Sequence, residues 1–121
     1  MELSYAVTAL SALAHEGRLT IFRELVQAGP YGLAAGEVAR RVGIQPNTLS
    51  ASLTVLSHAE LVDSRRVGRS IIYSAAYDRM SALLGFLLRD CCNGAPEICA
   101  SVATVLNETA CLGAQPDPTA V

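Results

Sequence analysis

Lysine is absent from this sequence: all nine cations of the 121-residue chain are arginines, set against eleven acidic side chains for a formal net charge of −2. That sign excludes a uniformly basic nucleic-acid binder and shifts the question to how the charge is distributed. Apolar runs of the length a membrane span needs, about 18 residues, are also missing. A soluble chain with no membrane partner is expected. The opening stretch "MELSYAVTALSALAHEG" has no basic region before its apolar part and carries Glu2, which argues against a secretory leader and makes the cytoplasm the expected location. Catalytic signatures are lacking as well. His15 and His58 are far apart in sequence and read as surface or capping residues, and no nucleophile motif or phosphate-cradling glycine loop occurs, so an enzyme is not expected.

What is present fits one globular domain: 51% hydrophobic and 17% charged residues, in a chain short enough for dimerisation to add materially to its core. The arginines cluster. Between residues 40 and 73, Arg40, Arg41, Arg65, Arg66 and Arg69 face Glu60 and Asp63, a local balance of 5 − 2 = +3. Cysteines cluster too, with three of the four in "CCNGAPEIC" at positions 91, 92 and 99. In a reducing compartment such a group is more often metal-binding or redox-active than a structural disulfide.

Periodicity gives the element order. Tyr5, Val7, Leu10 and Leu13 among alanines predict a helix over 4–13 with two apolar sides, one of them suited to a second chain. Leu19, Phe22, Leu25 and Val26 form one stripe of a helix over 16–28, stopped at Gly29-Pro30. A short helix over 35–42 ends at Gly43. After three residues a second helix begins, with Gln45 as its cap and Pro46 in its first turn. Its buried stripe is read as Leu49, Leu53 and Leu56 with Val55 beside them, and its polar face as Asn47, Thr48, Ser50, Ser52 and Thr54. Short uncharged side chains on a helix that follows a tight turn permit close entry into a DNA major groove, although an ordinary amphipathic helix has the same pattern. "LVDSRRVGRSIIYSA" then predicts strands over 61–66 and 70–74 joined at Val67-Gly68-Arg69, an arginine-tipped hairpin suited to phosphate or minor-groove contact. From Tyr77 the helical pattern returns, with Met80, Leu83, Leu84, Leu87 and Leu88 apolar and a stop at Asn93-Gly94 before Pro96. Residues 97–106 can form a short appended helix, and 112–121 read as a disordered tail.

In this order, "LAHEGRLTIFRELVQAG", "VARRVGIQPNTLSASLTVLSHAELV" and "SRRVGRSIIYS" resemble the first helix of the DNA-binding domain, the helix-turn-helix and the wing of the ArsR/SmtB family of repressors, over about residues 9–92. The resemblance implies a mainly α winged helix-turn-helix fold with a small β-hairpin, dimerised through its first and last long helices. It further implies a homodimeric repressor on an inverted-repeat operator of double-stranded DNA, its two recognition helices about 34 Å apart. DNA contacts then fall to Gln45, Asn47, Thr48, Ser50 and Ser52 on the helix and to Arg65, Arg66 and Arg69 on the wing. The chain departs from the family pattern where Ser52 and Thr54 stand in place of a basic residue or histidine, which puts more weight on the wing. Without lysine, a modest salt dependence is expected.

Family members sense ions through ligands that this chain partly lacks, since the helix before the recognition helix has no cysteine and the last long helix no histidine. Cys91, Cys92 and Cys99 remain. Adjacent helical residues point about 100° apart, so the pair can meet one ion only if the helix frays, which Asn93 and Gly94 permit. Three thiolates suit a soft centre such as As(III) or Sb(III), which needs no fourth ligand. Arsenite-responsive family members, with cysteines at the end of the last long helix, resemble this arrangement. Zinc or cadmium would want a fourth ligand from Cys111, water or a neighbouring chain. Two other readings stay open: thiol redox sensing by Cys91 or Cys92 with Cys99, and cysteines that serve as small buried hydrophobes. Arsenate reduction is disfavoured, because proline and glutamate stand where a phosphate-like cradle would follow the nucleophile. The chain is thus read as a domain over 1–92, a cysteine-bearing sensor segment over 91–111 and a tail.

Overall fold

The computed structural model describes residues 1–89, 100–101 and 104–105. The chain divides into two units, Met1–Phe86 and Leu87–Val121. Cys91, Cys92, Cys99, Cys111, the appended helix's pattern and the tail fall wholly or largely outside the described residues. The elements run α1 (Leu3–Leu13), α2 (Glu16–Ala28), β1 (Leu33–Ala34), α3 (Ala35–Val42), α4 (Pro46–His58), β2 (Val62–Val67), β3 (Ser70–Ala75) and α5 (Tyr77–Leu88). Among the described residues no helix is long and apolar enough to cross a membrane.

The helix boundaries follow from local chemistry. His15 caps α2, its Nδ1 accepting from the Arg18 amide at 3.3 Å. Arg18 in turn donates through Nε to the Ala12 carbonyl at 2.6 Å, which satisfies a terminal acceptor of α1. Gly43 ends α3 in the left-handed region (φ 77°, ψ 39°), and its N–H bonds Ala39 O. Gln45 does not cap α4 with its side chain. It is extended (φ −70°, ψ 146°) because Pro46 disfavours a helical conformation in the residue before it.

The core is built from Ile21 and Leu25 of α2, Val38 of α3, Leu49, Leu53 and Leu56 of α4, Leu61 and Val62 where β2 starts, and Leu83 of α5. Two readings of α4 change. Ser52 is buried with Leu49, Leu53 and Leu56, because positions 49, 52, 53 and 56 lie on one helical face. Val55, three residues past Ser52 and two past Leu53, turns outward and is exposed. In α1 the buried residues are Ala6, Ala9 and Ala12, whereas Leu3, Val7 and Leu10 face out. Small side chains bring α1 close to the body and leave its large apolar residues without cover in the single chain.

The sheet is three-stranded and antiparallel, in the order β1-β3-β2. β1, unpredicted from the sequence, pairs Leu33 with Tyr73 and Ala34 with Ile72. The hairpin closes at Val67 opposite Ser70, around Gly68-Arg69. Positive φ at Gly68 (62°) but not at Arg69 is the type II′ pattern, whose twist suits a two-residue hairpin. Val62 and Ala75 are buried at its base, and residues 63–71 are exposed.

One non-glycine residue among those described has positive φ: Glu60, at 61°. It follows the α4 C-cap, where Leu61 N–H bonds Leu56 O at 3.0 Å and Glu60 N–H bonds Ser57 O at 2.9 Å, a Schellman closure. A side chain in this region costs about 1 kcal/mol relative to glycine.

Candidate nucleic-acid interface

α3, the turn at Gly43-Ile44-Gln45 and α4 make the helix-turn-helix, with Val38 and Leu49 both buried in the core the two helices share. Burying the stripe through Leu49, Ser52, Leu53 and Leu56 fixes what α4 shows outside. Gln45, Asn47, Thr48 and Ser50, at or beside its N-terminal end, are exposed. Ser52 is 8% exposed and is removed from the outward set. Thr54 faces out, but its hydroxyl donates back to Ser50 O at 2.9 Å. The face is thus short, neutral and confined to the first turns of the helix. Free N–H groups and the positive end of the helix dipole lie there too, and both favour phosphate.

The wing supplies the charge. Side chains alternate along β2, so Arg65 and Arg66 take opposite faces of the hairpin. Arg65, opposite Ile72, donates to the carbonyl oxygen of Tyr31 at 2.8 Å and thereby braces the hairpin against the loop before β1. Arg66, opposite Ile71, and Arg69 in the turn are exposed, and neither has an ion-pair or hydrogen-bond partner among the described residues.

The other arginines of the basic middle are engaged. Glu37, in the first turn of α3, bonds both Arg40 and Arg41, the latter at 2.8 Å, and Arg41 also lies 3.9 Å from Glu24 of α2. Hydrogen bonds from Arg40, then from Arg41, hold the Glu37 carboxyl down at about 2. The local excess of positive charge read from the sequence therefore resides in the wing. Glu37 lay just outside that window, although its i, i+3 and i, i+4 spacing to the arginines was a readable signal.

Among the described residues no group of three or more His, Cys, Asp or Glu side chains could hold a metal ion. The proposed ligands Cys91, Cys92 and Cys99 lie outside those residues.

A neutral helix face presented after a tight turn, beside a hairpin with two arginines that have no partner among the described residues, is the arrangement of a winged helix-turn-helix DNA-binding domain. Comparison with known proteins gives the family. A family described as "Helix-turn-helix domain" matches residues 13–65. The chain is 36% identical over 88 residues to the Biofilm growth-associated repressor of Agrobacterium fabrum, covering 73% of this chain and 71% of that protein. It is 37% identical over 78 residues to Nodulation protein NolR of Rhizobium meliloti, where the match spans 64% of this chain and 62% of NolR's length. Its fold is similar to the homodimeric winged helix-turn-helix domain of Mb0332 from Mycobacterium bovis, described as a possible ArsR-family regulator. The TM-score is 0.59 at 31% identity, covering 73% of this chain and 82% of that one. The chain belongs to the ArsR-type family of winged helix-turn-helix transcriptional regulators.

Proposed function

We propose that the protein is a homodimeric repressor that holds an inverted-repeat operator through Asn47, Thr48 and Ser50 of α4 and through Arg66 and Arg69 of the wing. The observation that carries this reading is the pairing of a neutral, close-approach helix face with two arginines whose side chains have no partner among the described residues. Dimerisation is supported by the outward Leu3, Val7 and Leu10 of α1 and by Leu84 and Leu87 of α5, all exposed in the single chain. Two-fold symmetry would place two recognition helices on matched half-sites.

As(III) or Sb(III), bound by Cys91, Cys92 and Cys99, is the inducer in this reading, supported by three thiols within nine positions and by their suitability for a soft ion. Binding distorts the end of the last long helix and with it the dimer contact. A coupling of about 2 to 4 kcal/mol lowers DNA affinity by roughly 30- to 1,000-fold, and by linkage the ion binds the operator complex more weakly by the same factor. The test is fluorescence anisotropy with the DNA upstream of the protein's own gene, titrated with arsenite under reducing, metal-free conditions. Wild type should let go, while Cys91→Ser, Cys92→Ser and Cys99→Ser should bind and stay bound. A wild type that stays on the DNA removes the arsenic assignment. The same cysteine pattern favours one second reading, a thiol redox switch between Cys91 or Cys92 and Cys99, which predicts release by mild oxidant without any metalloid.

A further inference from the structure

Glu60 occupies the one left-handed position at the end of a helix that glycine does not fill among the described residues, and that helix is α4. Gly43 fills the corresponding place after α3. A residue kept where glycine is favoured calls for something that its side chain does. The Glu60 carboxylate accepts a hydrogen bond from the Tyr5 hydroxyl of α1 at 2.7 Å and pairs with Arg79 of α5. The Arg79 guanidinium lies 4.7 Å from the centroid of the Tyr5 ring, and the Tyr5 hydroxyl is also 3.3 Å from the carbonyl oxygen of Ala59, the α4 C-cap. Three side chains thus close a polar triangle that joins α1, the end of α4 and the start of α5. The Tyr5 hydroxyl is held protonated by partial burial, then by its bond to Glu60, so it acts as the donor.

We propose that Glu60 is a positioning residue for DNA recognition: through Tyr5 and Arg79 it sets the angle at which α4 is held against α1 and α5. The proposal rests on the DNA-binding reading above. Geometry gives it force, because the 13 residues of α4 span about 20 Å. A displacement at His58 and Ala59 tilts the helix about its buried Leu49, Leu53 and Leu56 contact and moves Asn47, Thr48 and Ser50 by a comparable distance the other way. The α1 and α5 faces proposed to meet a second chain are thereby tied to the residues proposed to meet DNA.

A capping role and a positioning role predict different outcomes for Glu60→Gly. If the residue only ends the helix, glycine is the better choice, and the variant should melt at or above the wild-type temperature with operator affinity unchanged. If it positions α4, the variant should melt within a few degrees of wild type, remain the same oligomer in sedimentation, and bind operator on the order of 10-fold more weakly. Tyr5→Phe, which leaves the backbone and the Glu60–Arg79 pair untouched, should lose part of the same affinity, more than twofold, and decides the matter should Glu60→Gly fail to fold. Glu60→Gln, which keeps an acceptor for Tyr5 but not the charge for Arg79, should fall between. The double variant Tyr5→Phe with Glu60→Gly should lose less than the sum of the two single losses. Operator affinity within twofold of wild type for both single variants overturns the proposal. A wild-type protein that binds no promoter DNA removes the DNA-binding reading and this inference with it.

Discussion

Two groups of arginines occupy the middle of the chain, Arg40 and Arg41 at the end of α3 and Arg65, Arg66 and Arg69 in the wing, and in composition they are alike. In the fold they differ. Glu37 and Glu24 engage the α3 pair, which binds α3 to itself and to α2. In the wing, Arg65 braces the hairpin against Tyr31 O, and Arg66 and Arg69 have no side-chain partner among the described residues. Charge counted along a sequence is thus not the charge offered to a ligand, because a carboxylate one turn away cancels it locally. The electrostatic footprint contracts from a broad middle segment to two residues on an exposed hairpin.

The sharpest test of that contrast pairs two double variants. Arg66→Ala with Arg69→Ala should weaken operator binding by at least roughly 10-fold and reduce the slope of log affinity against log salt by about 1 for each phosphate contact removed. Arg40→Ala with Arg41→Ala should leave the affinity within about twofold and the slope unchanged. Equal losses from both pairs would show that the α3 arginines exchange Glu37 for phosphate on binding, and the contrast would fail. A smaller effect is expected of Arg65→Ala. With its hydrogen bond to Tyr31 lost, the wing is held less firmly and affinity should fall several-fold, yet the slope should stay at the wild-type value because no counterion-releasing contact is removed. A slope that falls by about 1 would make Arg65 a phosphate ligand rather than a brace.

The same contrast shows what the sequence made legible. α2, α3 and α4 were readable to the residue at most ends because their signals are local: His15 as a cap, Gly29-Pro30, Gly43 and Pro46 act within one turn of themselves. The wing was readable for the same reason, with Gly68 at the turn. The hydroxyl of Ser52 suggests solvent, whereas the 49, 52, 53, 56 spacing puts it inward, and packing decides. β1 is not legible in the sequence because two residues carry no periodicity; it forms by pairing with β3. For α1 the apolar pattern was legible, but not the choice of Ala6, Ala9 and Ala12 as the inner face. That choice depends on how near the helix must come to the body. Of the candidate DNA-contacting set, the residues at the start of α4 could be read from composition. The division of labour among the arginines could not, because it depends on acceptors such as Tyr31 O that lie far away in sequence.

The smallest effect belongs to Glu37 itself, and its sign is fixed. Bonding to Arg40 and Arg41 lowers its carboxyl from 4.5 to about 2 in the folded chain. The unfolded chain therefore takes up a proton at this site first as pH falls. The contribution to stability is complete above about pH 4.5 and is lost progressively as the pH drops towards 2. Glu37→Gln should accordingly be slightly less stable than wild type at neutral pH, and the two denaturation midpoints should converge between pH 4.5 and 2. Because the carboxylate is only partly buried and both arginines are exposed, the difference at neutral pH should be small and should shrink further in high salt. The variant also releases Arg40 and Arg41 from their partner, so a steeper salt dependence of DNA binding than wild type is expected of it. If the midpoints stay parallel down to pH 2, Glu37 is not the acceptor that holds the two arginines, and their exclusion from the DNA-facing charge would lose its physical basis.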